Sequence, residues 1–358
     1  MAGIVTKPHK RSVLKSRPQV STLIPISIIV PVYNNAHDLL ECVCALKTSG
    51  HPDLEIIVVD DASTDDTFSM AMRMGVRLLQ LAKNSGHGTA RNYGACYAQG
   101  DILFFVDADV VVAPGAISRV LRLFGENPDL AAVFGSYDLE PRAKNLVSQF
   151  RNLLHHYVHQ NGHAEASTFW AGCGAIRRSV FREIGGFDEK RFSWSIPDIE
   201  LGYRLRQAGY PILLDKALQG THLKRWVLSS VIHTDVIYRA VPWSRLILES
   251  RNAPNDLNLE TRQRLSVALV SLAGIFLFLA AFRVELLALS AAALFSMAIL
   301  NRKLYVFFFR QRGIVFTGAG ILLHLLYYLC GGLGYMYAWL EFQLRSTAKR
   351  MVRAIERE

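Results

Sequence analysis

Cysteine is scarce: five in 358 residues (Cys42, Cys44, Cys96, Cys173 and Cys330), with no C-x-x-C pair and no His/Cys grouping at zinc spacing. That excludes a disulfide framework and a structural zinc module, and free buried thiols in a reducing compartment are expected. The glycine-rich nucleotide signatures are missing too. No G-x-G-x-x-G follows the first apolar strand and no G-x-x-x-x-G-K-[ST] occurs, which argues against a dinucleotide fold and a P-loop nucleotidase. No apolar stretch of signal-peptide type follows the basic N-terminus, so the catalytic part is expected to remain cytosolic. Acid is absent from residues 1–20, which carry Lys7, Lys10, Arg11, Lys15 and Arg17. The net charge of +10 lies almost wholly in three segments: 1–20 carries +5, 302–312 carries +4 and 341–358 carries +2, leaving −1 elsewhere. A nucleic-acid-binding domain would spread base over a folded face, so none is expected. With 51% hydrophobic and 20% charged residues, disorder is excluded as well. Basic segments beside apolar ones point to an anionic membrane surface.

Before residue 240, β-branched runs alternate with stretches of helical length. Ile26–Val32, Leu54–Val59, Val76–Leu81 and Ile102–Val106 read as strands, and Ala36–Thr48, Asp66–Met74 and Gly88–Ala98 as the helices between them. This alternation predicts parallel βαβ units with a ligand crevice at the carboxyl ends of the strands. Beyond 260 the character changes. Leu265–Phe282 and Leu286–Leu300 are uncharged and separated by Arg283-Val-Glu285, which reads as a tight hairpin; Ile314–Leu340 is 27 residues broken only by His324. A span needs about 20 apolar residues. Lys303–Arg312 mixes aromatics with bases, as in a helix lying at the interface. The expected order is a basic arm (1–20), an α/β catalytic domain (21–226), an amphipathic interfacial segment (227–264), about three transmembrane helices (265–340) and a basic tail (341–358). Three spans would put that tail outside, against the positive-inside rule. Either the tail crosses, or one arm is re-entrant and the count is even.

Five motifs carry chemistry. Pro31-Val-Tyr33-Asn34 ends strand one, and Asp60-Asp61-Ala-Ser63-Thr64-Asp65 ends strand two. Carboxylates there can accept hydrogen bonds from a base edge and from ribose hydroxyls, while Ser63 or Asp65 suits a helix cap. Asn84-Ser-Gly86-His87-Gly88 leads to Arg91 in the first turn of a helix, where backbone donors and one cation can hold phosphate. Asp107-Ala-Asp109 follows the fourth strand; two carboxylates so spaced can clamp Mg²⁺ or Mn²⁺ bridging substrate phosphates. Trp170-Ala-Gly172 is followed by Pro197-Asp198-Ile-Glu200, where Ser195 can cap a helix. Asp198 either complements its N-terminal dipole or takes a proton from an acceptor hydroxyl. Finally come His222-Leu-Lys224-Arg225-Trp226. Here imidazole could complete a metal shell, Arg225 could hold a diphosphate and Trp226 could stack on a sugar.

In this order the motifs, over residues 24–226, resemble the family 2 glycosyltransferases, inverting enzymes with a GT-A catalytic domain. The resemblance implies a fold of α/β class, Rossmann-like with a mostly parallel sheet, followed by interfacial and transmembrane helices. It implies that Asp61 contacts the nucleobase beside Asp60, that Asp107 approaches the ribose, and that Asp109 coordinates Mg²⁺ or Mn²⁺ on the diphosphate with His222. Pro31, Tyr33, Asn34, Arg91 and Arg225 complete the donor side. Trp170, Gly172, Glu200 and Trp226 form the acceptor side, and Asp198 stands where the family has its catalytic Asp. Two positions depart from the family pattern: Pro197 replaces a Glu, and His222 replaces the Gln of the Q-x-x-R-W motif of processive members, which weakens a polysaccharide-synthase reading. The expectation is an integral enzyme of the inner or plasma membrane with its catalytic domain in the cytoplasm. It moves a sugar from a nucleotide donor, UDP-linked in preference to GDP-linked, to a lipid or lipid-linked acceptor. Alternatives are a polyprenyl-phosphate glycosyltransferase or a non-catalytic nucleotide-sugar-binding subunit.

Overall fold

The computed structural model describes residues 25–49, 51, 54–251 and 253–355, with side chains as far as residue 347. The basic arm 1–20 and the last three residues of the tail lie outside the described residues. Eight strands form one sheet: β1 (Ile26–Val32), β2 (Leu54–Asp60), β3 (Arg77–Gln80), β4 (Ile102–Val106), β5 (Val110–Val112), β6 (Ala132–Tyr137), β7 (Cys173–Arg177) and β8 (Ile212–His222). Their order across the sheet is β3-β2-β1-β4-β7-β6-β8-β5. The first four strands are parallel, as the βαβ spacing predicts, with Val32 opposite Asp60. Beyond β4 the sheet is mixed: β7 runs antiparallel to β4 and β6, and β5 to β8, while β6 and β8 are parallel. The sheet is thus mostly parallel, as expected, with antiparallel pairings confined to β7 and β5 beyond β4.

Strand alternation divides the core in two. Ile29, Ile57, Leu103 and Phe105 face one side, and Ile28, Val30, Val58 and Phe104 the other, as a period of two requires. Helices α1 (Ala36–Lys47), α2 (Thr67–Arg73), α3 (His87–Tyr97), α4 (Ala116–Glu126), α5 (Leu146–Asn161), α6 (Arg178–Glu183) and α7 (Pro197–Gln207) follow in chain order. Of these, α3, α5 and α7 cover the first face and α1 and α4 the second. With both faces covered, the strands need almost no polar residues.

The chain then leaves the sheet through α8 (Leu228–His233), a π-helical turn (Thr234–Ala240) and α9 (Val241–Ser250). Next come α10 (Thr261–Leu279), α11 (Leu286–Leu300) and α12 (Arg302–Ile355). The helices α10 and α11 form the expected hairpin: Ser290 Oγ donates to Ala273 O at 2.9 Å and Asn301 Nδ2 to Ser266 Oγ at 2.9 Å. α12 is broken at Gly313, whose φ is +80°, and its first arm folds back on its second. The Tyr305 hydroxyl meets His324 Nδ1 at 3.1 Å, and Tyr328 Oη donates to Asn301 Oδ1 at 3.0 Å. The first arm does more than lie at an interface. Phe308 is fully buried against Phe150 of α5, and Arg312 donates to Leu139 O and Gln149 Oε1. Two helices, Thr261–Leu279 and the 46-residue stretch Arg302–Thr347, are long and apolar enough to cross a membrane; Leu286–Leu300 is apolar but shorter.

Candidate active site

The carboxyl ends of β1, β2, β3 and β4 carry the first three motifs, which converge because these parallel strands are neighbours in register. Asn34 occupies the left-handed region, φ +48°, which its short polar side chain tolerates. Its Oδ1 accepts from Thr64 N at 2.7 Å, and its backbone N–H donates to Ser63 Oγ at 2.9 Å, clasping the first two loops together. Pro31 is buried inside β1 and Tyr33 is exposed at the crevice rim. Asp60 is buried and turned inward, accepting from Gln80 Nε2 at 2.9 Å and Ser63 N at 3.3 Å. Asp61 accepts the backbone N–H groups of Ser85 and Gly86 at 2.7 and 2.8 Å. Burial pushes its carboxyl up despite those two donors. Gly86 (φ +90°) lets the loop turn under Ser193, where a Cβ would come within 2.8 Å of the serine hydroxyl. Asp65 Oδ1 accepts Thr67 N–H at 3.0 Å just ahead of α2, but the capping position is Asp66, so neither Ser63 nor Asp65 is the expected cap.

The central cluster is formed by α3, the β4–β5 turn and the end of β8. Arg91 is 3% exposed and donates from Nη2 to Asp107 Oδ1 at 2.6 Å. Its Nε and Nη1 are buried without a partner, a cost that an anionic ligand would remove. Asp109 Oδ2 lies 3.7 Å from His222 Nε2, because β5 pairs with the last three residues of β8 and sets Val110 opposite His222. Burial pushes the Asp107 carboxyl up, with the Asp109 and Asp198 charges adding to it against Arg91. Asp109 is also desolvated, but the attraction of His222 and Lys224 holds it below the usual range. Burial, with Arg91 and Lys224, drives His87 down to about 3, so this imidazole is neutral.

Asp198 sits in the first turn of α7. Its Oδ2 accepts Ala171 N–H at 3.1 Å and its Oδ1 the Ile199 N–H at 2.9 Å, so one carboxylate is held against both the helix and the Trp170–Gly172 segment. Ser195 does not cap that helix; its hydroxyl turns back to Phe192 O, and Ile196 is the capping position. Trp170 packs edge-on to Tyr137, which stacks on His222 at 4.2 Å. Gly172 O accepts the Asp107 N–H at 3.1 Å and joins the two halves of the site.

Two expected acceptor residues have other work. Both oxygens of Glu200 are taken by Arg204, at 2.6 and 2.7 Å, and Arg204 also donates to Ile184 O and Gly186 O. Glu200 thus ties α7 to the Gly185–Gly186 turn rather than facing the crevice. Trp226 is buried with the Lys224 ammonium 4.3 Å above its ring; it is a wall rather than an open stacking platform. Arg225 is exposed beside it. Tyr137, His155 and Lys224 join the cluster although none is an expected site residue. Lys224 belongs to the last of the five motifs, but Tyr137 and His155 come from β6 and α5, which carry no local signature.

Among the described residues no group of three or more His, Cys, Asp or Glu closes around one point. Asp109 and His222 still suit a divalent cation. An oxygen and an imidazole on one side fit an ion that keeps its other positions for water and substrate phosphates. The mixed sheet, the carboxylates at its strand ends and the orphaned Arg91 donors define a GT-A-type nucleotide-sugar domain.

Comparison with known proteins agrees. Residues 27–185 match the model of glycosyl transferase family 2, and residues 151–221 match that of the N-terminal domain of galactosyltransferase. Residues 27–185 thus form a glycosyl transferase family 2 domain. The validoxylamine A glucosyltransferase of Streptomyces hygroscopicus subsp. jinggangensis is 26% identical over 57% of this chain and 56% of its own length. The pre-mycofactocin glycosyltransferase of Mycobacterium tuberculosis is 29% identical over 56% of this chain and 44% of its own. The chain thus spans about half the length of the curated relatives it matches. A mannosyltransferase from Pyrobaculum calidifontis, solved in complex with GDP-Man and Mn²⁺, superimposes with a TM-score of 0.57 at 18% identity, covering 88% of each chain. At that identity the likeness is one of fold.

Proposed function

We propose that the protein is a membrane-associated inverting glycosyltransferase that transfers a sugar from a nucleoside diphosphate donor to a hydroxyl of a lipid or lipid-linked acceptor. The observation that carries the reading is the placement of Asp198. It is pinned by Ala171 N–H beside the donor-side pair Asp107 and Asp109, and its charge reaches Asp107. A carboxylate there can take the acceptor proton as the acceptor oxygen bonds to the anomeric carbon and the bond from that carbon to the diphosphate breaks, inverting the centre. Asp60, Asp61 and the Asn34 clasp shape the nucleoside end of the crevice. Arg91, with two unpartnered N–H donors, meets the diphosphate as its charge grows, the kind of pre-oriented stabilisation that usually contributes most. Asp109 and His222 would hold a divalent cation that neutralises the departing diphosphate.

Support for the membrane comes from the C-terminal helices. Phe278 and Phe282 are 72% and 76% exposed, Val315 is 85% exposed, and Phe295, Leu322 and Leu344 are also open. Apolar surface of that extent calls for lipid or a partner. Purified protein in detergent, offered UDP- and GDP-sugars with Mg²⁺ or Mn²⁺, should release nucleoside diphosphate from one of them. No binding or turnover with any donor would sink the proposal. Asp198→Asn should cut transfer by about 10²–10⁴-fold, the usual contribution of a positioned base, while donor binding stays within about twofold. Full activity in that variant would remove Asp198 from the role.

A further inference from the structure

Behind the central cluster lies a second polar site made by α5, the π-helical turn and the end of the β8 motif. Arg151 is buried, and its Nη1 contacts both oxygens of buried Asp235 at 2.8 and 2.9 Å. Its Nη2 has no partner. The guanidinium lies over the Trp226 ring at 5.4 Å. Trp226 is 6% exposed, and its Nε1 is likewise buried without a partner. The ring does not drift into this position. Asn145 Nδ2 donates to Trp226 O, and Trp226 N–H donates to Ser148 Oγ, each at 2.8 Å.

A second cation joins them. Arg239 lies four residues after Asp235, on the same face of the turn. Its charge acts on Arg151, His155 and His159, and among the described residues it forms no ion pair. Arg151 alone holds the Asp235 carboxylate, and the Arg239 charge is left without a carboxylate partner among the described residues. Two buried N–H donors aimed at nothing each cost free energy unless a ligand accepts from them. A structural ion pair would have needed Arg151 and Asp235 alone. The site also connects to the chemistry: His155 lies against Tyr137 at 4.3 Å, and Tyr137 stacks on His222 beside Asp109. The outer rim is apolar, with Leu228, Ile232, Ile237 and Tyr238 exposed on α8 and the π-helical turn.

Resting on the transferase reading, we infer that Arg151, Arg239 and Trp226 Nε1 bind a phosphate group of the acceptor, so the acceptor is a phosphate-bearing lipid whose chain leaves over this apolar rim. The reacting oxygen remains a hydroxyl deprotonated at Asp198; the phosphate positions it and takes no part in bond making. Arginine suits this task because its planar fork meets phosphate oxygens in pairs.

The test is equilibrium binding to the full chain in detergent micelles, with EDTA present so that metal-dependent donor binding is silent. The probes are farnesyl diphosphate, farnesol and inorganic pyrophosphate. Farnesyl diphosphate should bind at least about tenfold tighter than farnesol and than pyrophosphate, a difference of about 1.4 kcal/mol. Arg239→Gln, at an exposed position with no partner to orphan, should abolish most of that preference, and Arg151→Lys should weaken it by about fivefold or more. Nucleotide binding with Mn²⁺ should not change in either variant. Equal affinity for farnesol and its diphosphate, or an unchanged preference in Arg239→Gln, overturns the inference. Pyrophosphate binding as tightly as the lipid would assign the site to a free phosphate and overturn it too. If nucleotide sugars neither bind nor turn over while the lipid preference behaves as stated, the transferase reading fails and the anion site stands.

Discussion

Asp198 depends on a residue with no side chain. Gly202 lies one helical turn further along α7, where an added Cβ would come within 2.4 Å of Phe169 N and 2.6 Å of Thr168 C. Those atoms are backbone and cannot rotate aside, so α7 would have to back away from the 168–171 segment. That is the segment whose Ala171 N–H holds Asp198. Gly202→Ala should therefore lower stability by on the order of 1–3 kcal/mol, the usual overpacking cost. It should also reduce kcat while the donor KM holds, because the donor-side carboxylates sit on other elements. Thermal melts and steady-state kinetics check the two halves. Wild-type kcat in a destabilised variant would show that the base does not need this packing. At this scale much of the candidate site's geometry was legible. Asp107, Asp109 and Asp198 stand at strand or helix ends, where chain direction alone points a carboxylate into a crevice. Glu200 turns to Arg204 for a local reason: a Glu four residues before an Arg on a helix finds that Arg first.

Among the elements, α5 holds what motifs could not show. His155, His156 and His159 are all desolvated, and His159 is buried at 5% exposure, bonded to Gly135 O at 2.8 Å and pushed down to about 4. Neither their neutrality nor their contact with Tyr137 follows from the α5 sequence, because both come from packing against β6, a strand placed by antiparallel pairing with β7. Parallel βαβ units are visible in a sequence because each closes locally; the mixed half of the sheet joins distant strands and leaves no periodic trace. The histidines make a pH prediction. A folded-state pKa below the unfolded value near 6.5 means the unfolded chain takes up the proton first as pH falls. Stability is then full above about 6.5 and drains away as pH drops toward the folded value. His159 alone should cost about 2 kcal/mol by pH 5, since each unit of that window is worth about 1.4 kcal/mol. Denaturant midpoints at about pH 7.5 and pH 5 measure the loss, and His159→Gln should shrink it. A loss equal in both proteins would place the acid sensitivity elsewhere.

For the whole molecule, the question is which helices leave the catalytic side. Composition suggested three spans and so stranded a basic tail outside the cytosol. Side-chain contacts suggest an even count. α10 and α11 start and finish together, since Asn301 bonds Ser266, so the Arg283–Glu285 turn is the far tip of a hairpin. The 19 residues of α10 measure about 28 Å, close to the roughly 30 Å of a hydrocarbon core. α12 differs because it is fastened to the catalytic side at both ends. Arg312 bonds Leu139 O near its start. Glu341 takes Arg245 of α9 at 2.7 Å, and α9 rests on the catalytic domain through Trp243 Nε1 donating to the Tyr203 hydroxyl. If α12 crossed the bilayer between those two points, Glu341 would sit on the opposite side from Arg245, and the Arg245–Glu341 contact could not form. We therefore expect the hairpin to insert while α12 stays with the domain, leaving Arg345 and the tail on the cytosolic side, where positive charge is favoured. Single cysteines placed at Val284 and Ser346, in a background with the native cysteines replaced, can be read with a membrane-impermeant maleimide on sealed vesicles. Ser346→Cys should label from the same side as a catalytic-domain control such as Lys190→Cys, and Val284→Cys should not. Labelling of position 346 only from the opposite face would restore three spans and break the Arg245–Glu341 contact as a feature of the membrane-bound enzyme.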